Sequence, residues 1–204
     1  MYIVIFGNEV PEYFLLVGVK YHFGAVSNYI SQNFDGLKDG IVEMLAGGRE
    51  KVDPTRFQND MSIVQNRDDV YTVLIHLGYL GYDWERNECY IPNKEVGGEM
   101  VNAVMENRWE NVTRAVEQSE ALLEATLRGD SDFVAEQLEV MHSDNTSIQK
   151  YNDENSLSCV MGIAYYYAQN DYIVHREYQT GRGFADLVLI PRKNVNKPAV
   201  VVEL

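Results

Sequence analysis

The feature that most constrains this chain is a change of hydrophobic period near residue 171. Before it, apolar residues recur every three or four positions; after it they alternate or run continuously. From Asp153 the spacing predicts a helix of about 17 residues, with Leu157, Val160, Met161, Ala164, Tyr165 and Ala168 on its buried side. Tyr172–Tyr178 then reads as a strand, Gly181-Arg182-Gly183 as a hairpin turn and Phe184–Ile190 as a nearly continuous apolar strand. A basic loop over 191–198 leads to a third strand, Ala199–Leu204. The expected unit is a helix followed by a three-stranded antiparallel meander.

Two of those strands each carry one carboxylate in an otherwise apolar run, Asp186 and Glu203. A carboxylate inside a sheet is costly unless it is paired, hydrogen-bonded or metal-bound. If the loop returns the chain so that Ile190 pairs with Ala199, Asp186 and Glu203 fall opposite each other. Their Cβ atoms would then be about 5 Å apart. Such a pair repels itself unless one acid stays protonated or a cation joins them. Oxygen-only ligands favour Mg²⁺ or Mn²⁺. A slip of one residue would put the two acids on opposite faces, and a solvent-facing strand end is the simpler alternative.

Upstream the chain reads as mainly helical. Ile30, Phe34, Leu37, Ile41, Met44 and Leu45 predict one helix from Ser27 to about Met44, stopped by Gly47-Gly48. Residues 49–67 read as loop, Asp69 opens a helix, and Glu88–Pro92 reads as a short strand. Asn93 is a candidate N-cap for a helix to about Arg108. Val112–Leu127 and a helix capped by Ser131, with Phe133, Val134, Leu138 and Met141 inward, form an αα-hairpin. The runs Tyr2–Phe6 and Phe14–Val19 are candidate strands.

Charge is distributed unevenly. The 204 residues carry −14 in total, of which residues 95–155, with 14 acids and 4 bases, supply −10. Residues 156–204, with 4 acids and 5 bases, are net +1, so an anionic polymer is expected at that end. The acidic hairpin reads as a solvated face, or as a docking face for a basic partner. At 46% hydrophobic and 24% charged, the composition excludes bulk disorder. Cys89 and Cys159 are isolated, so reduced thiols in a cytoplasm are expected, and no zinc site assembles from them and four scattered histidines. Tyr13–Val19 is too short to span a bilayer, and no signal peptide is legible.

Glu154, then Gly181-Arg182-Gly183-Phe184-Ala185-Asp186, then Pro198-Ala199-Val200-Val201-Val202-Glu203, resembles the PD-(D/E)XK nuclease superfamily. More narrowly it looks like the nuclease-like domain that follows an AAA-ATPase-like domain in many bacterial proteins. Asn28–Arg108 resembles the stretch joining the two, through Gly78-Tyr79-Leu80 and Ile91-Pro92-Asn93-Lys94-Glu95-Val96. The resemblance implies an α/β chain in three parts. Residues 1–110 would be an ATPase-like remnant and helical connector, 111–150 an acidic αα-hairpin, and 151–204 an incomplete restriction-endonuclease-like core.

It also implies metal-dependent phosphodiester hydrolysis of nucleic acid, with DNA as the expected substrate. Asp186 and Glu203 would be catalytic and would hold Mg²⁺ or Mn²⁺. Glu154 would complete the metal shell, although an acid in a first helical turn also suits the helix dipole. Glu177 is a further ligand or a salt-bridge partner of Arg176 or Arg182, and Arg182 and Lys193 are candidate phosphate contacts. The motif's lysine would fall two residues after Glu203, beyond Leu204, and no Walker A loop occurs. The chain alone is therefore expected to cut poorly. The rival reading is a non-catalytic interaction or regulatory module with a degenerate nuclease core. A third reading is a chain with no separate role, whose open third strand, unless covered, is expected to self-associate or dissolve poorly. His175, His76 and Tyr165–Tyr167 read as structural.

Overall fold

A computed structural model describes residues 23–32, 34–57, 64–145, 154–179, 183–193 and 196–202. The candidate strands before residue 23 lie outside the described residues, as do Asp153 and most of the hairpin turn at 180–182. The elements run α1 (Phe23–Ile30), α2 (Leu37–Leu45), β1 (Glu50–Lys51), a 3₁₀ turn (Pro54–Arg56), α3 (Arg67–His76), β2 (Gly81–Asp83) and β3 (Glu88–Tyr90). They continue through α4 (Lys94–Glu106), α5 (Glu110–Arg128), α6 (Ser131–Asn145), α7 (Glu154–Ala164), a 3₁₀ helix (Tyr166–Asn170), β4 (Tyr172–Gln179), β5 (Phe184–Pro191) and β6 (Val200–Val202). The chain is mixed α/β, with two three-stranded antiparallel sheets ordered β1-β3-β2 and β4-β5-β6. Among the described residues no helix is long and apolar enough to cross a membrane.

The expected single helix over Ser27–Met44 is two. Gly36, at φ +75°, precedes α2 in the left-handed region, where a Cβ is costly. Ile30, Leu37, Ile41, Met44 and Leu45 are nevertheless all buried. Both helices line one core, so the helical spacing survives the break.

Capping sets the other boundaries. Asn66, not Asp69, caps α3. Its side chain accepts from the Asp69 N–H, while the Asp69 carboxylate accepts from the Gln65 N–H and the Asn66 side-chain amide. This reciprocal arrangement is a capping box shifted by residue type. Asn93 caps α4 by accepting from the Val96 N–H at 3.0 Å, as its position predicted. Gly129, at φ +76°, closes α5 in the left-handed conformation that favours glycine at a helix C-terminus. The inward reading of α6 holds in part: Met141 is buried and Val134 and Leu138 half-buried, but Phe133 is exposed.

The helix and meander near the C-terminus fasten to the end of α2 and to α5. Gly162 of α7 lies so close that a Cβ there would stand 2.6 Å from the Ala46 carbonyl oxygen. Gln169 donates to the Leu45 carbonyl at 3.2 Å. Arg176 of β4 reaches Glu43 at 3.0 Å and donates through Nε to the Ser158 hydroxyl at 3.0 Å. Tyr165 shares a 2.8 Å hydrogen bond with Thr126 of α5, and the Tyr167 N–H donates to Ser119 at 3.1 Å. One apolar core runs from Val26 through α5 to Leu187 and Leu189, and α7 covers the inner face of β4 and β5.

Candidate functional site

Strand parity decides where Asp186 points. Ala185, Leu187 and Leu189 are fully buried beneath α7. Successive side chains alternate between faces, so Asp186 belongs to the outer face, where it is half-buried. Ile173, Phe184 and Val201 share that face and are 44%, 69% and 59% exposed.

The third strand pairs in the register expected from Ile190 and Ala199. Leu187 sits opposite Val202, Val188 opposite Val201 and Leu189 opposite Val200. Asp186 is the next residue of β5 and Val202 the last described residue of β6. Glu203 lies outside the described residues. Glu154 is the first residue of α7; its side chain is also outside them. Arg182 lies outside as well.

On the other side of β5 stands Glu177. The β4–β5 ladder pairs Arg176 with Leu187 and Tyr178 with Ala185, and skips the pair between them, Glu177 with Asp186. Glu177 is exposed and adopts φ +50°, a region that costs a non-glycine residue about 1 kcal/mol or more. The kink brings the His175 and Tyr178 rings to 5.1 Å, although residues three apart on a regular strand face opposite ways. His175 thus has a packing partner, as does His76, which is exposed and meets the Phe57 ring at 5.9 Å.

The candidate cations separate by role. Arg176 is not a partner of Glu177: it points inward to Glu43 and Ser158. Lys197 bridges to Asp171 at 2.6 Å, and Arg192 donates to the Gln169 carbonyl at 3.3 Å. Lys193 is exposed just past the end of β5, where Pro191 pairs with Tyr172. That is the opposite end of the strand from Phe184 and Asp186, so the structure does not bring Lys193 to the carboxylates.

Asp186 and Glu177 supply oxygen donors on neighbouring strands, the donor type suited to Mg²⁺ or Mn²⁺. Among the described residues no group of three or more His, Cys, Asp and Glu side chains is arranged to hold a metal ion.

Asp53, Gln65, Asn66 and Arg67, from the stretch that reads as loop in the sequence, wall a cavity of about 540 Å³ together with Phe34, Asp35, Asp68 and Asp69. Its acids are committed locally. Asp53 caps the 3₁₀ turn, Asp69 accepts from the Gln65 N–H and the Asn66 side-chain amide, and Asp68 accepts from the Asp53 N–H at 3.1 Å. Arg67 reaches Glu50 and Asp68, both at 3.4 Å. Burial pushes the Glu50 carboxyl above its ordinary range, with Arg67 opposing. Cys89 is buried in β3, and its thiol donates to the Met44 sulfur at 3.7 Å. Burial pushes that thiol up to about 12, so it is not a nucleophile at neutral pH.

No protein-family model matches the chain, and neither the curated proteins nor the solved structures contain a match to it. What the fold defines at this point is a mixed α/β protein whose second sheet has one face covered by α7 and one face exposed around Asp186.

Proposed function

We propose that residues 151–204 are the metal-binding part of a PD-(D/E)XK-type nuclease core, joined by an acidic hairpin to a connector of the kind that follows AAA-ATPase-like domains. One observation carries the reading. The β5–β6 ladder pairs Leu187 with Val202, and Asp186, the residue before Leu187, lies on the sheet face that α7 leaves uncovered.

In this reading Asp186 and Glu203 hold Mg²⁺ or Mn²⁺, and Glu154 and Glu177 are the acids available to complete the shell. The ion, when bound, supplies Lewis-acid stabilisation of phosphate charge and a more acidic water. The chain's own residues do the positioning. The buried Leu187 and Leu189 anchor β5, and Asp186 is carried at a fixed height on the outer face. The exposed outer face is where a nucleic acid, most readily DNA, would approach. A cytoplasmic setting agrees with the two buried free thiols.

The test is Mn²⁺ titration of the purified chain by calorimetry. One Mn²⁺ is expected to bind, with Asp186→Asn and Glu203→Gln each weakening it by about tenfold or more. Arg192→Gln, at the other end of β5, should leave it unchanged. Absence of Mn²⁺ binding, or binding indifferent to Asp186→Asn, would sink the proposal.

A further inference from the structure

Phe133 and Val140 of α6 are seven residues apart, so they stand on one side of the helix about two turns from each other. They are 36% and 42% exposed, while Val134, Leu138 and Met141 on the adjoining side pack into the core. Next to this apolar pair runs a row of exposed acids, Asp132, Glu136 and Glu139. The helix contains no lysine or arginine. Among the described residues none of these three acids has an ion-pair partner. On α5, by contrast, Glu124 pairs with Arg128 at 3.6 Å.

Asp132, in the first turn, suits the helix dipole, but Glu136 and Glu139 lie beyond that turn and do not serve α6 itself. Like charges three and four apart, as in Asp132/Glu136 and Glu136/Glu139, destabilise a helix by a few tenths of a kcal/mol per pair. Exposed phenylalanine and valine side chains gain nothing from water. Both features become favourable when a cationic, partly apolar surface is laid against them. The two-turn spacing suits a helix lying along α6, its apolar residues on Phe133 and Val140 and its basic residues facing the acids.

We propose that this side of α6 is a docking surface for a basic amphipathic helix of a protein partner. A nucleic acid or an anionic membrane carries the wrong charge for it. The surface is independent of the metal reading, because α6 contributes no residue to the Asp186 site.

The probe is a synthetic ~18-residue amphipathic peptide of leucine and lysine, long enough to hold a helix on binding. It is titrated into the full chain at low and high salt, beside a scrambled peptide of the same composition. We expect micromolar binding that weakens with salt, and about tenfold weaker binding of the scrambled peptide. Phe133→Ser and Val140→Ser should each weaken binding by about fivefold to tenfold. The double variant Glu136→Gln/Glu139→Gln should flatten the salt dependence. All these positions are exposed, and unchanged circular dichroism checks that each variant folds. Equal affinity for the scrambled peptide would reduce the effect to net charge and overturn the proposal. So would indifference to Phe133→Ser, or protection from hydrogen exchange appearing elsewhere than on α6.

Discussion

The Arg176 guanidinium stands 3.0 Å from the Glu43 carboxylate and ties the second sheet to the end of α2. The contact is ionic rather than a well-aligned hydrogen bond: Nη1 is buried and makes none, while Nε donates to Ser158. Arg176 is 13% exposed and Glu43 24% exposed. Removing one partner from a largely buried pair leaves the other charge poorly solvated. Glu43→Gln is therefore expected to destabilise the chain by about 2–3 kcal/mol, and Glu43→Gln/Arg176→Met by less than Glu43→Gln alone. Urea unfolding of both variants reads this directly. If the double variant is the less stable, the pair contributes more than its desolvation cost.

The glycines of α4 and α7 make opposite predictions. Gly162→Ala sets a methyl 2.6 Å from the Ala46 carbonyl oxygen, which is backbone and cannot move aside. Overpacking of this kind costs about 1–3 kcal/mol, more than the roughly 1 kcal/mol alanine adds to a helix interior. Gly98→Ala in α4 meets nothing within 4 Å and should raise stability by about 0.5–1 kcal/mol. Thermal melts of the two variants should move in opposite directions.

Glu177 supplies a backbone test. At φ +50°, glycine is relaxed and a β-branched residue strained. The expected order of stability is Glu177→Gly at or above the parent, with Glu177→Val below it by about 1–2 kcal/mol. Both variants also remove a candidate ligand, so the metal proposal expects weaker Mn²⁺ binding in each. Weak binding in Glu177→Val alone would mean that the kink, and not the carboxylate, matters to the metal.

Glu50 links stability to pH. Its carboxyl is raised chiefly by burial, so folding favours the protonated form. Its contribution is fully present below the unfolded value and is lost as pH rises through the folded one. In Glu50→Gln that component disappears. Parent and variant should therefore diverge across the weakly acidic range, the parent losing stability relative to the variant as pH rises. Parallel stability–pH curves would count against the assignment.

Among the described residues the second sheet has two edges, and they differ. On β4, Arg176 and Glu177 and the positive-φ kink blunt the edge, whereas β6 is Val200-Val201-Val202, uncharged, with Val201 59% exposed. Unprotected apolar edges recruit further strands. Light scattering at rising concentration should show association through β6, stronger in high salt because each chain carries −14. Val201→Lys should suppress it, and a monomer at every concentration would refute this reading of the edge.

Much of this architecture is legible locally. The helix-to-strand switch, the Asn93 cap, the Gly129 stop and the β5–β6 register follow from periodicity and from side chains that bond their own neighbours. Two boundaries escape a periodic count although neighbouring residues set them. The break at Gly36 is invisible to a periodic count, because α1 and α2 bury the same apolar set on either side of it. Asn66 captures the start of α3 through a reciprocal bond with Asp69.

By itself, then, the sequence determined the change from helical to extended period, the boundaries at Asn93 and Gly129, and that Asp186 sits alone among apolar neighbours. Those are properties of residues within a turn or two of each other. Only the tertiary structure decided that Arg176 turns inward to Glu43, that Glu177 kinks β4 beside Asp186, and that Phe133 faces water. Each of those outcomes depends on which element packs against which, and on a core with room for some side chains and none for others.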